Sequence, residues 1–188
     1  KTSPLSRFTT VSVQPFSGEK SDGDLPAPVF AKAVLTPNVA ILEALYAVLL
    51  REPVFYKSLA VSLNPCMVAL PESRYQWLYF DGVDEGFQEM PADPVLNDLV
   101  ELLLSKNHRL PYPEILRHLQ DAVDAAAAEL EQWLLNLTDH GFLEWVLPET
   151  GLSPAWCDNL YRYLGYLPAE PVIVQTAALL QWLRTAAR

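Results

Sequence analysis

Residues 111–147, PYPEILRHLQDAVDAAAAELEQWLLNLTDHGFLEWVL, hold the pattern on which the fold turns. Pro113 stands near the start of a short helix whose Ile115, Leu116 and Leu119 turn inward. Asp124 reads as the N-cap of a longer helix, on which Leu130, Trp133, Leu134 and Leu137 recur on one face and Gly141 supplies the stop. FLEWVL, residues 142–147, then returns as a strand. A short helix, a longer helix and a strand make a helix-turn-helix with a wing.

Working outward, DPVLNDLVELLLSKN (93–107) is a helix with Asp93 as N-cap and Pro94 at its first position. Three strand signals precede it. SLAVSLNPCMVAL (58–70) is broken at Asn64-Pro65, RYQWLYF (74–80) is aromatic and alternating, and GFQEM (86–90) is short. Pro71-Glu72-Ser73 and residues 81–86 supply the turns. Nearer the start, FTTVSVQPF (8–16) alternates as a strand, residues 17–28 are loop-like and VFAKAVL (29–35) is a short strand. A helix is predicted from 37 to about 51, with Thr36 as N-cap and Pro37 at its first position. Beyond 147, Ser153, Pro154 and Gly165 bracket one more helix, and PVIVQTAALLQWLRTAAR (171–188) reads as a last one.

The expected fold class is α+β: a winged helix-turn-helix-like domain, with a three-stranded sheet and three helices, between flanking strand and helix segments. The expected division is a partial strand and helix region at 1–61, the winged-helix element at 62–147 and a helical extension at 148–188.

Composition narrows the function. With 188 residues, 51% of them hydrophobic, the chain can bury a real core. No apolar run reaches the roughly 20 residues that cross a bilayer, and the first residues do not read as a signal peptide. Cys66 and Cys157 lack CxxC spacing. A reduced, cytoplasmic setting without a membrane partner is therefore expected, with one disulfide between them as the alternative. The net charge of −10 disfavours phosphate backbones. The helix a DNA reader would put in the major groove offers Asp124, Glu129, Glu131, Gln132, Asn136 and Asp139 without any Lys or Arg, so duplex DNA is not an expected partner.

Few residues carry catalytic signals. His108, His118 and His140 are not spaced as metal ligands, and no GxGxxG or GxxxxGK order is present. No metal site, bound cofactor or catalytic residue is assigned. Asp81, Asp84 and Glu85 share a turn, read as solvated rather than as a cation site. Trp77, Tyr79, Phe80 and Phe87 read mostly as core, with one or two left to line a groove.

A short sheet beside a helix can accept an extended peptide as an added strand. The candidate edge is Gly86, Phe87, Gln88, Glu89 and Met90, and the candidate apolar anchors are Leu130 and Leu134 on the facing helix, 125–137. A proline at Gln88 should abolish an added strand if that N–H faces outward. The competing reading is a structural or protein–protein interaction module with no peptide groove.

The opening KTSPLSRFTTVSV, the segment VSLNPCM, and the pair YQWLYFDG and LTDHGFLEW resemble the N-terminal part of lantibiotic dehydratases, the LanB-type enzymes of lanthipeptide and thiopeptide biosynthesis. Residues 62–147 also resemble the PqqD-like recognition element of peptide-modifying enzymes, including the ending L-(x)3-GFL. The resemblance implies a fragment of a much longer enzyme with no complete active site of its own. Its implied partners are the leader of a ribosomal precursor peptide and the rest of the dehydratase. Glutamyl-tRNA would be a co-substrate reached only through the parent, which uses it to glutamylate Ser or Thr. In the fragment alone Lys1 and Arg7 read as solvated charges at a frayed end; in the parent they would belong to the basic surface for tRNA, although Lys1 stands where the family usually has Arg.

Overall fold

The structure, a computed structural model, describes residues 38–80 and 84–186, with the side chain of Ala186 excepted. The predicted strands at 8–16 and 29–35, the loop at 17–28, Thr36, Pro37, Lys1, Arg7 and Asp81 lie outside the described residues.

Helix α1 (Val39–Leu49) begins with Asn38, whose side chain accepts a hydrogen bond from Ala40 N at 3.0 Å. The cap therefore falls two residues later than the Thr36 expected from sequence; both residue types place a side-chain oxygen where a first-turn N–H needs one. The brief helix α2 (Pro53–Tyr56) follows, started by the same Pro53 that ends the previous run. Strand β1 (Ala60–Leu63) then leads to the Asn64-Pro65 break.

That break separates two sheets where the sequence suggested one. Strands β2 (Val68–Leu70), β3 (Arg74–Phe80) and β4 (Glu85–Pro91) form an antiparallel meander in the order β2-β3-β4. Strand β1 instead lies at the centre of the other sheet, between β5 (Arg109–Pro111) and β6 (Leu143–Val146). Between β4 and β6 run α3 (Pro94–Ser105), α4 (Tyr112–Ala122) and α5 (Ala127–Asp139), the three helices of the winged-helix unit. Asp93 caps α3 by accepting from Leu96 N at 2.8 Å, as its position predicts. The start of α5 differs from expectation. Ala126, not Asp124, is its N-cap residue, and the Glu129 carboxylate reaches back to Ala126 N at 3.4 Å. A cap contributes only about 1 kcal/mol, less than burying one large apolar side chain, at roughly 1.5–3 kcal/mol. The buried stripe Leu130, Leu134 and Leu137 therefore outweighs Asp124 in setting where this helix begins.

Two cores result. The winged-helix core packs Leu96, Leu99 and Leu103 of α3, Ile115 and Leu119 of α4 and the α5 stripe on Val61, Leu63, Tyr75, Trp77 and Phe142. The second core packs Leu42, Leu45, Tyr46 and Leu49 of α1 against α6 (Trp156–Leu164) and α7 (Pro171–Ala186). Segments on either side of the winged-helix unit thus share one apolar interior. Partly buried Trp145 touches both cores. Cys66 is exposed and Cys157 buried, and both are free thiols, so the alternative disulfide is not formed. Among the described residues no helix is long and apolar enough to cross a membrane. The fold class is thus α+β and winged-helix-like, with seven helices and two three-stranded antiparallel sheets among the described residues.

Candidate functional site

Among the described residues the β4 strand lies at one edge of its sheet and pairs only with β3. Its register runs from Arg74 opposite Pro91 to Phe80 opposite Glu85. Just beyond, Ala92 N donates to Ser73 O at 2.8 Å, which makes Ser73 and Ala92 a hydrogen-bonded pair. Such pairs alternate along an antiparallel ladder. Gly86, Gln88 and Met90 therefore point their N–H and C=O groups at β3. Glu85, Phe87 and Glu89 point theirs at the open edge. Pro91, which has no N–H, falls on the open side, where its missing donor costs the ladder nothing.

This phase corrects the sequence-based choice of Gln88 as the proline probe. Its N–H faces inward, so Gln88→Pro would break the existing sheet. The outward donors are Glu85, Phe87 and Glu89.

The same alternation sorts the side chains. Met90 packs, half-buried, on the winged-helix core beside its opposite number Tyr75. Gly86 lies opposite Tyr79, and a methyl group added to it would meet nothing within 4 Å. On the other face Phe87 lies opposite Leu78, and Glu89 opposite Gln76. Phe87 is 69% exposed and Phe80 58%. Glu89 pairs with Arg74 at 2.8 Å and accepts from the Gln76 amide at 2.9 Å. Of the aromatic set, Trp77 is buried, while Phe80 and Phe87 remain at the surface.

The sheet is fixed to the C-terminal end of α5, where helix carbonyls lack intrahelical donors. Trp77 Nε1 donates to His140 O at 2.8 Å, Tyr79 Oη to Asp139 O at 3.0 Å and Asn64 Nδ2 to Gly141 O at 2.8 Å. The last bond crosses from the end of β1. Gly141 itself adopts φ +68°, and a Cβ there would collide with the Tyr79 ring. These contacts tie the meander to the helix end, and Glu85–Glu89 of β4 are exposed.

The structure places the predicted site residues in two different settings. Gly86, Phe87, Gln88 and Glu89 are exposed on the edge strand. Leu130 and Leu134 are on α5 but buried, at 5% and 1% exposure, within the winged-helix core. Glu131, visible in the sequence only as one acid of the third helix, accepts from Tyr56 Oη at 2.6 Å and pairs with Lys57 Nζ at 2.7 Å. The hydrogen bonds from Lys57 and then Tyr56 hold its carboxyl below the usual carboxylate range. That cluster joins α5 to the α2 region. Its partners lie more than 70 positions apart, so no local motif could reveal it. His118 bonds Asp98 at 2.7 Å, linking α4 to α3. No group of three or more metal-ligating side chains occurs among the described residues.

No protein-family model and no curated protein matches the sequence. Solved structures do match the fold. The glutamylation domain of TbtB, from thiomuracin biosynthesis, superposes with a TM-score of 0.58 at 18% identity, over 95% of this chain and 23% of that one. The same domain bound to 5'-phosphodesmethylglutamycin gives 0.57 at 20% identity, over 93% and 23%. The tRNA-dependent lantibiotic dehydratase MibB from Microbispora sp. 107891 gives 0.53 at 14% identity, over 77% and 14%. Both neighbours are LanB-type proteins, and this chain has the fold of a part of each. It spans about a quarter of the TbtB chain's length or less.

Proposed function

We propose that this chain is the leader-binding part of a LanB-type dehydratase. An extended segment of a ribosomal precursor peptide adds as a fourth strand to the outer edge of β4. The observation that carries this reading is the outer edge of a seven-residue strand, unpaired among the described residues, with exposed Phe87 on it. Each main-chain hydrogen bond gained contributes about 0.5–1.5 kcal/mol net. The likeness of fold to TbtB and MibB supports the placement of such an element within a longer enzyme. In that enzyme the bound peptide is glutamylated on Ser or Thr from glutamyl-tRNA, and any contact of Lys1 and Arg7 with tRNA belongs to that step.

A second reading has its own observation. Glu85, Glu89 and Pro91 are the residue types that guard sheet edges against pairing. On that reading β4 is a protected edge of an interaction module. Titration with the leader peptide encoded beside the gene separates the two. Phe87→Pro removes an outward N–H and should weaken leader binding at least about tenfold, equivalent to roughly 1.4 kcal/mol. Unchanged affinity in a folded Phe87→Pro variant favours the protected-edge reading.

A further inference from the structure

Resting on strand addition at β4, we propose that this edge selects a segment carrying one basic and one apolar side chain two residues apart. The outward-bonding residues Glu85, Phe87 and Glu89 all present their side chains on one face of the sheet, the face of Leu78 and Phe80. An added strand would set its own side chains beside them in the same alternation. The residue opposite Phe87 meets an exposed ring that continues into Leu78, so an apolar side chain there covers surface that water now wets.

The two acids flanking Phe87 are not equivalent. Glu89 is already neutralised by Arg74 and bonded to Gln76. No ion pair engages Glu85 among the described residues, and its cross-strand partner is the exposed Phe80. A basic side chain therefore gains a partner at the Glu85 end and none at the Glu89 end. The arrangement fixes both the spacing, two residues, and the end of the strand at which the charge sits.

Random nine-residue peptides displayed on phage, selected on the whole chain, test this. Parallel selections use Phe87→Pro, Glu89→Pro and Glu85→Lys, each checked for native circular dichroism. Peptides that bind the chain but not the proline variants should share Lys or Arg two positions from Leu, Ile, Val or Phe. The basic residue should be enriched about two- to fivefold per round, as one cross-strand charge pair warrants. On Glu85→Lys the enriched charge should turn acidic. Proline-sensitive peptides without the pattern, or with a pattern unmoved by Glu85→Lys, would overturn the selectivity and leave strand addition standing. If no enriched peptide is sensitive to either folded proline variant, both fail.

Discussion

Asn64 ends β1 with a side chain that is 7% exposed and engaged three times. Its amide donates to Leu78 O at 3.0 Å and Gly141 O at 2.8 Å, and its oxygen accepts from Cys66 N at 2.8 Å. One residue thus ties the central strand of one sheet to the middle strand of the other and to the end of α5. Replacing it with alanine strands two carbonyls and an N–H in a poorly hydrated place, so Asn64→Ala should lower stability by about 2–4 kcal/mol in urea unfolding. Gly141→Ala combines a left-handed backbone with a collision against Tyr79 and should cost at least about 1–2 kcal/mol. Glu131 adds a pH signature. Its lowered carboxyl means that its stabilisation is complete above the usual carboxylate range and is lost as pH falls through the lower folded value. Glu131→Gln should therefore cost about 1 kcal/mol at pH 7, and the difference from wild type should shrink below about pH 4.

At the scale of elements, proline discriminates neighbouring positions of one strand. Gln88→Pro removes a donor from the β3–β4 ladder and should destabilise the protein by about 1–3 kcal/mol. Phe87→Pro removes an N–H that the β3–β4 ladder does not use and should leave thermal unfolding nearly unchanged while weakening peptide binding. The alternation in RYQWLYF revealed a strand, but the hydrogen-bond phase of its neighbour depends on how Ser73 and Ala92 meet, which no single strand encodes. Other elements were readable from local chemistry. Asp93 with Pro94 marks the start of α3, and Gly141 marks the turn out of α5. The short β5 and α2 escaped because three or four residues carry no periodicity. The Asn64-Pro65 break was visible, but not that its two sides join different sheets, since β1 finds its partners more than 40 positions downstream. The stripe Leu130 and Leu134 was read correctly as apolar. Its use as core rather than groove rests on packing against strands distant in sequence.

At the scale of the molecule, two cores meet at Trp145, and the Tyr56–Glu131–Lys57 cluster bridges α5 to the α2 region. The winged-helix unit is thereby braced from behind, and the β4 edge is presented on a fixed frame. Binding by main-chain hydrogen bonds with at most one ion pair should respond weakly to salt, losing no more than about threefold in affinity between 50 and 500 mM. A nucleic-acid interface would lose orders of magnitude. The most direct test of strand addition is amide hydrogen exchange, residue by residue, with and without saturating leader peptide. Strand addition should slow exchange at Phe87 and Glu89, whose N–H groups point away from β3, with little change at Gln88 and Met90, already bonded to β3. Saturated binding with exchange at Phe87 and Glu89 unchanged would contradict it.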